Sequence, residues 1–303
     1  MSPDTRADSG KSATDPAPRL PAVAGTFYPA DPRKLASVVD GCLELASQVR
    51  RPEGATPQAI KGFLVPHAGL VYSGGIAALS WALAGEAKPA TIVIAGTDHQ
   101  AWAEGVGVWT GGPWRTPAGE VPVDRALARR IAALGPPFAA DDSAHLDEHS
   151  IEIQLPLLAR TCPETAIVPL AVSPRLQEHE EAGALLGRLL AELREAGEKI
   201  LLAISSDFAH YPSADISVLI TRELMEPLCR LDSDGVASLE ARLVASRAPG
   251  LSCGMCGIDP TRFGLAALCE MGAAHGLLLG AATSADAGGD PRRTVGYAAV
   301  AFV

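Results

Sequence analysis

The chain has 303 residues, of which 48% are hydrophobic and 20% are charged, so it can build a sizeable core and is not disordered throughout. Its formal net charge of -10 disfavours a general nucleic-acid binder and a polybasic membrane-surface protein, because both need a basic face. The six cysteines are too sparse for a disulfide scaffold, and no apolar run approaches the roughly 20 residues that cross a bilayer.

The amino terminus differs in composition from the rest of the chain. Residues 1–18 are mostly Ser, Asp, Pro, Thr, Ala and basic residues, a composition typical of a disordered arm. This stretch lacks the apolar core of a secretory signal, so we expect a cytoplasmic protein with reduced thiols. No second shift in composition follows, and we therefore expect residues 19–303 to form one domain.

Segments that suit strands alternate along the chain with segments that suit helices. The predicted strands are short and rich in β-branched residues, and they cover 60–66, 91–96, 166–172, 200–206, 276–282 and 295–303. The predicted helices have apolar residues at three-to-four spacing and cover 31–48, 123–134, 148–160, 177–196 and 260–272. This alternation predicts a single-domain α/β fold, in which a central, mostly parallel or mixed β-sheet has helices on both faces. Antiparallel strands are expected near 106–110 and at the carboxyl terminus.

Three histidines follow predicted strands at the point where each strand ends. His67 follows the first strand, His99 the second and His210 the fourth, and Asp207 shares the loop of His210. Each alone is most simply explained as an ordinary loop or buried histidine. Because open α/β sheets bind ligands outside the carboxyl ends of their strands, the common placement favours one shared site. Histidine is also the commonest metal ligand and the usual acid or base near neutral pH.

A CxxC sequence formed by Cys253 and Cys256 precedes the last predicted helix. No second pair exists to complete a zinc site of four cysteines, and the setting is not that of a redox CxxC. Two interpretations stay open. The two residues are ordinary loop thiols, or a single thiolate joins the histidines in a metal site, which is the interpretation we prefer.

A polar cluster around His145 and His149 lies at the start of the predicted helix 148–160. The two histidines have the spacing of the metalloprotease HExxH helix, but Leu146 stands where that motif needs glutamate, which excludes it. Asp147 suits the start of the helix as a cap. Two alternatives therefore remain. The cluster has capping and surface roles, or His149 reaches the pocket.

Short motifs that run in order from residue 20 to the carboxyl terminus together resemble one known family. They are Ala24-Gly25-Thr26-Phe27-Tyr28-Pro29, Pro66-His67-Ala68-Gly69, Tyr72-Ser73-Gly74, Gly96-Thr97-Asp98-His99, Trp114-Arg115-Thr116-Pro117, Glu148-His149-Ser150-Ile151-Glu152, Ser205-Ser206-Asp207-Phe208-Ala209-His210 and Ser252-Cys253-Gly254. The chain resembles the Memo family, whose bacterial and archaeal members are often called AmmeMemoRadiSam system protein B. The resemblance implies a fold like that of the class III extradiol ring-cleavage dioxygenases.

The resemblance also implies roles for six side chains. Its metal ligands match His67, His99 and Cys253, its active-site base matches His210, and its additional pocket residues match His149 and Asp207. Fe(II) is the expected metal, with Cu or Zn as alternatives, since a thiolate ligand favours Cu(I), Zn or tightly held iron. The family resemblance assigns no role to Cys256 or to His145.

Two classes of function follow from the resemblance. In the first, the protein is a non-haem-iron-type enzyme that acts on a small aromatic or heterocyclic substrate. In the second, it is a non-catalytic metal- or peptide-binding protein with a vestigial dioxygenase site. Proteins of the radical-SAM and AMMECR type are expected pathway partners, and neither nucleic acid nor a membrane is an expected partner.

Overall fold

The computed structural model describes residues 16–303, so most of the expected amino-terminal arm lies outside the described residues. The strands are β1 (Gly62–Val65), β2 (Thr91–Thr97), β3 (Val106–Val108), β4 (Trp114–Thr116), β5 (Gly119–Val121), β6 (Phe138–Ala140), β7 (Ala166–Val172), β8 (Ile200–Ser205), β9 (Gly276–Thr283) and β10 (Gly296–Phe302). The helices are α1 (Pro32–Ser47), α2 (Leu70–Ala87), α3 (Arg125–Ala132), α4 (Leu155–Thr161), α5 (His179–Glu195), α6 (Ala214–Cys229), α7 (Ser233–Ser246) and α8 (Ile258–Glu270). None of the helices between residues 16 and 303 is both long and apolar enough to span a bilayer.

A mixed eight-stranded sheet forms the centre of the molecule, in the order β6-β3-β7-β2-β8-β1-β10-β9. The middle strands β7, β2, β8 and β1 are parallel to one another. The carboxyl-terminal strand β10 runs antiparallel to both β1 and β9, and β3 runs antiparallel to β7. The predicted mixed α/β sheet is therefore confirmed, together with the antiparallel strands at both expected places.

Each face of the sheet packs against its own hydrophobic core, because side chains alternate along a strand. In β2, Ile92 and Ile94 point into the core that includes residues of α1, α2 and α4. Val93 and Ala95 of the same strand point into the opposite core, formed with α3, α5, α6, α7 and α8. This burial on both faces explains why the central strands are continuous apolar runs.

The predicted helix 148–160 is the element whose start differs most from the structure. Only a 3-10 turn, Glu152–Gln154, precedes α4, which begins at Leu155. The carboxylate of Glu148 accepts hydrogen bonds from the backbone N–H groups of His149 and Ser150, each at 2.8 Å, and so competes with a helical conformation there. No helix begins at Asp147, so the prediction that Asp147 caps one is wrong.

Candidate metal centre

Three histidine side chains converge at the carboxyl edge of the sheet. His67, His99 and His149 each offer one ligand nitrogen, and these atoms all lie within 4.8 Å of one another. The ring centroids of His99 and His149 are 4.6 Å apart and stacked, while the His67 ring meets both edge-on at 5.3 and 5.4 Å. Within residues 16–303, no other group of His, Cys, Asp or Glu side chains forms such a cluster.

The sheet topology brings these histidines together. His67 follows β1 and His99 follows β2, and only β8 separates these two parallel strands. His149 comes from the loop before α4, which is fixed to the end of β2 by a hydrogen bond from Ser150 Oγ to the Thr97 carbonyl oxygen at 3.0 Å. His149 therefore reaches the pocket, which decides between the two alternatives that the sequence leaves open.

A chain of buried hydrogen bonds sets the tautomer of His67. Trp81 Nε1–H donates to Gln154 Oε1 at 2.9 Å, and the Gln154 amide nitrogen in turn donates to Ser205 Oγ at 3.0 Å. The Ser205 hydroxyl donates its hydrogen bond to the Ser150 carbonyl oxygen at 2.7 Å. Ser205 Oγ can therefore only accept from His67 Nδ1, 3.1 Å away, so the acceptor lone pair of His67 is on Nε2.

Glu148 orients the other two imidazoles. Its Oε1 lies 2.9 Å from His99 Nδ1 and 3.3 Å from His149 Nδ1, so both rings turn Nε2 away from the carboxylate. Its Oε2 accepts a hydrogen bond from the backbone N–H of His99 at 2.8 Å. Burial opposes the charge, but the hydrogen bond and charge of His99 and the charge of His149 outweigh it and lower the pKa of Glu148 to about 2. An ionised carboxylate on the far nitrogen of a histidine is a common support for a metal ligand.

The environment favours the neutral form of His67 and His149, which is the form that metal ligation requires. Burial and the neighbouring His149 and His99 lower the pKa of His67. Burial also lowers the pKa of His149 to about 4, although the Glu148 carboxylate opposes that shift. No proton has to leave these two rings before a metal binds near neutral pH.

Replacing Glu148 with glutamine is expected to weaken metal binding by about 10- to 100-fold, the usual cost of losing a hydrogen bond that orients a ligand. The amide has only one acceptor oxygen, so its NH₂ group would face donors of His99, His149 or Ser150. Competition titration with a chromophoric chelator measures the dissociation constant. Glu164→Gln, at an exposed position, is the matched control, and equal affinities in the two variants would show that Glu148 does not orient the ligands.

The cysteine that faces the histidines is Cys256. Its Sγ lies 3.1 Å from His67 Nε2, and it lines the same cleft. An antiparallel bridge between Met255 and Phe208 places residue 256 against the end of β8. Cys253 is half-buried and does not line the cleft, and its carbonyl oxygen accepts from the backbone N–H of His210 at 2.9 Å. Neither cysteine belongs to the group of ligand atoms that lie within 4.8 Å of one another, so the contact of Cys256 with His67 is what distinguishes the two thiols. The geometry thus favours Cys256 as the thiol of the site, and ligation by Cys253 stays a prediction without a contact to support it.

Both thiols are protonated at neutral pH without a metal. Burial, with smaller contributions from the carboxylates of Glu240 and Asp207, raises the pKa of Cys253 to about 12. Burial and the Asp207 carboxylate also raise the pKa of Cys256. A metal that binds Cys256 therefore has to displace a proton.

Asp207 and His210 line the cleft beside the histidine cluster. Asp207 Oδ1 accepts the backbone N–H of His67 at 2.7 Å and that of Ala68 at 3.3 Å, which fixes the start of the loop after β1. Burial outweighs these hydrogen bonds and raises the pKa of Asp207 to about 7. His210 Nδ1–H donates to the Phe208 carbonyl oxygen at 2.8 Å, so its Nε2 is the basic nitrogen, and burial lowers the pKa of His210.

The cleft that contains these groups has a volume of about 590 Å³, the size of a small-molecule site. Aromatic and histidine side chains contribute eight of its 17 lining residues, and the others include charged and small residues. The lining residues are Phe27, His67, Ala68, Gly69, Tyr72, His99, His149, Asp207, His210, Tyr211, Cys256, Ser284, Gly289, Asp290, Arg293, Val295 and Tyr297.

His145 lies outside this cleft. It is fully buried, its Nε2 lies 3.0 Å from the Gly107 carbonyl oxygen, and its ring packs edge-on against Trp109 and Trp114. Burial lowers the pKa of His145 to about 4, so the ring is neutral. These contacts give a role in packing to His145, a residue whose role the sequence alone does not predict.

Sequence comparisons agree with the resemblance carried by the motifs. A family model described as "Memo-like protein" matches residues 19–301. A MEMO1 family protein of Methanopyrus kandleri is 36% identical, with 94% of this chain and 98% of that protein covered. MEMO1 family proteins of Methanothermobacter thermautotrophicus and Saccharolobus solfataricus are 34% and 32% identical, over 92% and 94% of this chain and 98% and 99% of their own lengths.

Proposed function

The chain belongs to the Memo family, and on this premise we propose that His67, His99 and His149 bind one transition-metal ion together with the Cys256 thiolate. The observation that carries the proposal is the convergence of three imidazoles within 4.8 Å. The Nδ1–H groups of His67 and His99 donate to Ser205 Oγ and Glu148 Oε1, so each ring carries its basic lone pair on Nε2, where a metal can bind. The donor set therefore fits a transition metal.

The mixed imidazole and thiolate donors narrow the choice of metal. Imidazole suits Fe, Zn and Cu, and thiolate adds preference for Cu(I), Zn or firmly held iron. We propose Fe(II), as the family resemblance implies, with Zn and Cu as the competing ions. Anaerobic reconstitution with each metal, followed by elemental analysis, ranks the three affinities directly.

We further propose that the site is catalytic and acts on a small aromatic or heterocyclic substrate. A bound metal supplies Lewis acidity and the capacity to activate oxygen or a carbonyl group. His210 would take a proton from a substrate hydroxyl at Nε2; the hydrogen bond from its Nδ1–H to the Phe208 carbonyl oxygen supports this role. Asp207 fixes the loop that carries His67.

A second candidate function is supported by the number of protein donors. Three histidines and Cys256 would complete a four-coordinate site, which is typical of structural rather than catalytic metals. In that case the protein binds a metal or a peptide without turnover. Binding of azide to the Co(II) form separates the two functions, because only a site with an open position changes its visible spectrum.

The ligand role of Cys256 predicts a spectroscopic difference between two matched variants. We expect Co(II)-loaded wild type and Cys253→Ser to show a thiolate-to-metal charge-transfer band, and Cys256→Ser to lose it, because only Cys256 Sγ contacts a histidine of the cluster. Loss of the band in Cys253→Ser with retention in Cys256→Ser would restore Cys253 as the ligand. A wild type that takes up none of the three metals would refute the proposed metal function altogether.

A further inference from the structure

The cleft is lined by an exposed cation that has no carboxylate partner within residues 16–303. Arg293 is exposed, and it is the one Lys or Arg side chain that lines the cleft among residues 16–303. In the same described part of the chain, no carboxylate lies within 4 Å of its guanidinium, although the protein has a net charge of -10. Asp290, three residues earlier, is bound instead by Arg292, whose Nε and terminal nitrogen lie 3.1 and 2.9 Å from its two oxygens.

Aromatic stacking orients this cation. The guanidinium carbon of Arg293 lies 4.0 Å from the centroid of the Tyr211 ring, which leaves the N–H groups at the edge of the guanidinium plane free to donate. The Tyr211 ring in turn meets the His210 ring edge-on, with centroids 5.5 Å apart. The Tyr211 ring therefore lies between the guanidinium of Arg293 and His210, the proposed proton acceptor.

The backbone holds both stacked residues in place. Tyr211 has a φ of 74°, a conformation that costs energy for an aromatic residue and persists only where surrounding contacts hold it. Its backbone N–H donates to the Thr294 carbonyl oxygen at 2.6 Å, and the Thr294 N–H donates to the Pro212 carbonyl oxygen at 2.8 Å. Thr294 is fully buried and also donates through its hydroxyl to Pro212, so the residue next to Arg293 is rigid.

We propose that Arg293 binds the anionic group of the substrate, so that the cleft takes a small aromatic or heterocyclic carboxylate or phosphate. The inference rests on the proposed function, since it takes the cleft as the substrate site. A guanidinium donates two parallel hydrogen bonds to a carboxylate or phosphate, which gives orientation as well as affinity. The rings of Phe27, Tyr72 and Tyr297 supply walls for a flat apolar body.

Three probes of similar size test this assignment: benzoate, phenyl phosphate and the neutral benzamide. Dissociation constants come from ligand-observed NMR titrations of metal-free and metal-loaded protein. We expect wild type to bind at least one of the two anions about tenfold more tightly than benzamide, and Arg293→Met to bind all three alike. The anion that binds more tightly identifies the group as carboxylate or phosphate.

Arg130→Met is the control variant, because Arg130 is exposed, lies outside the cleft and carries the same charge. It should keep the preference for anions. Equal binding of the three probes by wild type, no binding of either anion, or a preference retained in Arg293→Met would each overturn the assignment. Metal content measured on the same samples tests the proposed function separately, since a protein without metal can still show the anion preference.

Discussion

Replacing His67 with alanine is expected to reduce the bound metal from about one ion per chain to below about one tenth of an ion per chain. The loss should exceed that caused by removing an orienting group, which typically lowers metal affinity by about 10- to 100-fold. His67 is 2% exposed, and three buried side chains fix the proton on its Nδ1. Alanine removes the only lone pair that this network directs towards the cluster. Elemental analysis after anaerobic reconstitution measures the loss.

Two further variants make the result specific. His275→Ala removes an exposed histidine outside the cluster, and it should retain full stoichiometry. His99→Ala removes a proposed ligand whose side chain is 29% exposed, so it should lose metal with little disturbance of packing. Circular dichroism confirms that each variant is folded. Full metal content in folded His67→Ala would contradict the assignment of the cluster.

The sequence predicts the central strands well because their burial is simple. The run at residues 166–172 is apolar throughout and coincides with β7. The sequence does not predict helices α6 and α7, because neither buries a clear apolar period. On α6, Ser217 and Thr221 are buried against Gly296 of β10, so polar residues occupy the inner face and obscure the apolar period. Helix α7 buries only Val236 and Leu239, which is too few for a clear pattern.

The site is predictable where it depends on strand ends and not where it depends on side-chain direction. His67, His99 and His210 follow strands, and the parallel order of β2, β8 and β1 is enough to bring them to one edge. The choice between two cysteines three positions apart depends on the bridge between Met255 and Phe208, which joins distant parts of the chain.

The sequence does not predict the orienting role of Glu148, again because that role depends on a contact between distant parts of the chain. Its chemical role comes from contact with His99, 49 residues earlier, and local sequence carries no sign of that contact. The nearest hint in the sequence is its position directly before His149. A glutamate beside a candidate histidine ligand is too common a pair to identify an orienting group without the structure.

A buried ion pair connects the amino-terminal segment to the 3-10 turn that follows His149. Glu152 and Arg19 meet at 2.6 Å with side-chain exposures of 0% and 1%. Glu152 also accepts hydrogen bonds from Tyr28 Oη at 2.6 Å and from the backbone N–H groups of Ala22 and Val23 at 2.8 and 3.0 Å. The carboxylate therefore compensates the whole charge of Arg19 in a site that water does not reach.

The same arginine supports the loop that carries Glu148 and His149 of the candidate metal centre. Arg19 donates to the carbonyl oxygens of His145 and Glu148, each at 2.7 Å, and its guanidinium carbon lies 4.1 Å from the Trp114 ring centroid. Loss of its partner carboxylate should therefore loosen Glu148 as well as the amino-terminal segment. Metal affinity is expected to fall together with stability.

Replacing Glu152 with glutamine is expected to lower the free energy of unfolding by about 3–5 kcal/mol, because the charge of Arg19 then stays buried without a counter-ion. Urea denaturation measures the change as a shift of the midpoint at constant slope. The matched control is Glu104→Gln, whose pair with Arg175 has side-chain exposures of 90% and 56% and should contribute less than about 1 kcal/mol. If the two substitutions destabilise the protein equally, the Arg19–Glu152 pair does not hold the segment in place. The difference between them arises because Arg175 can be hydrated when its partner is removed, whereas Arg19 cannot.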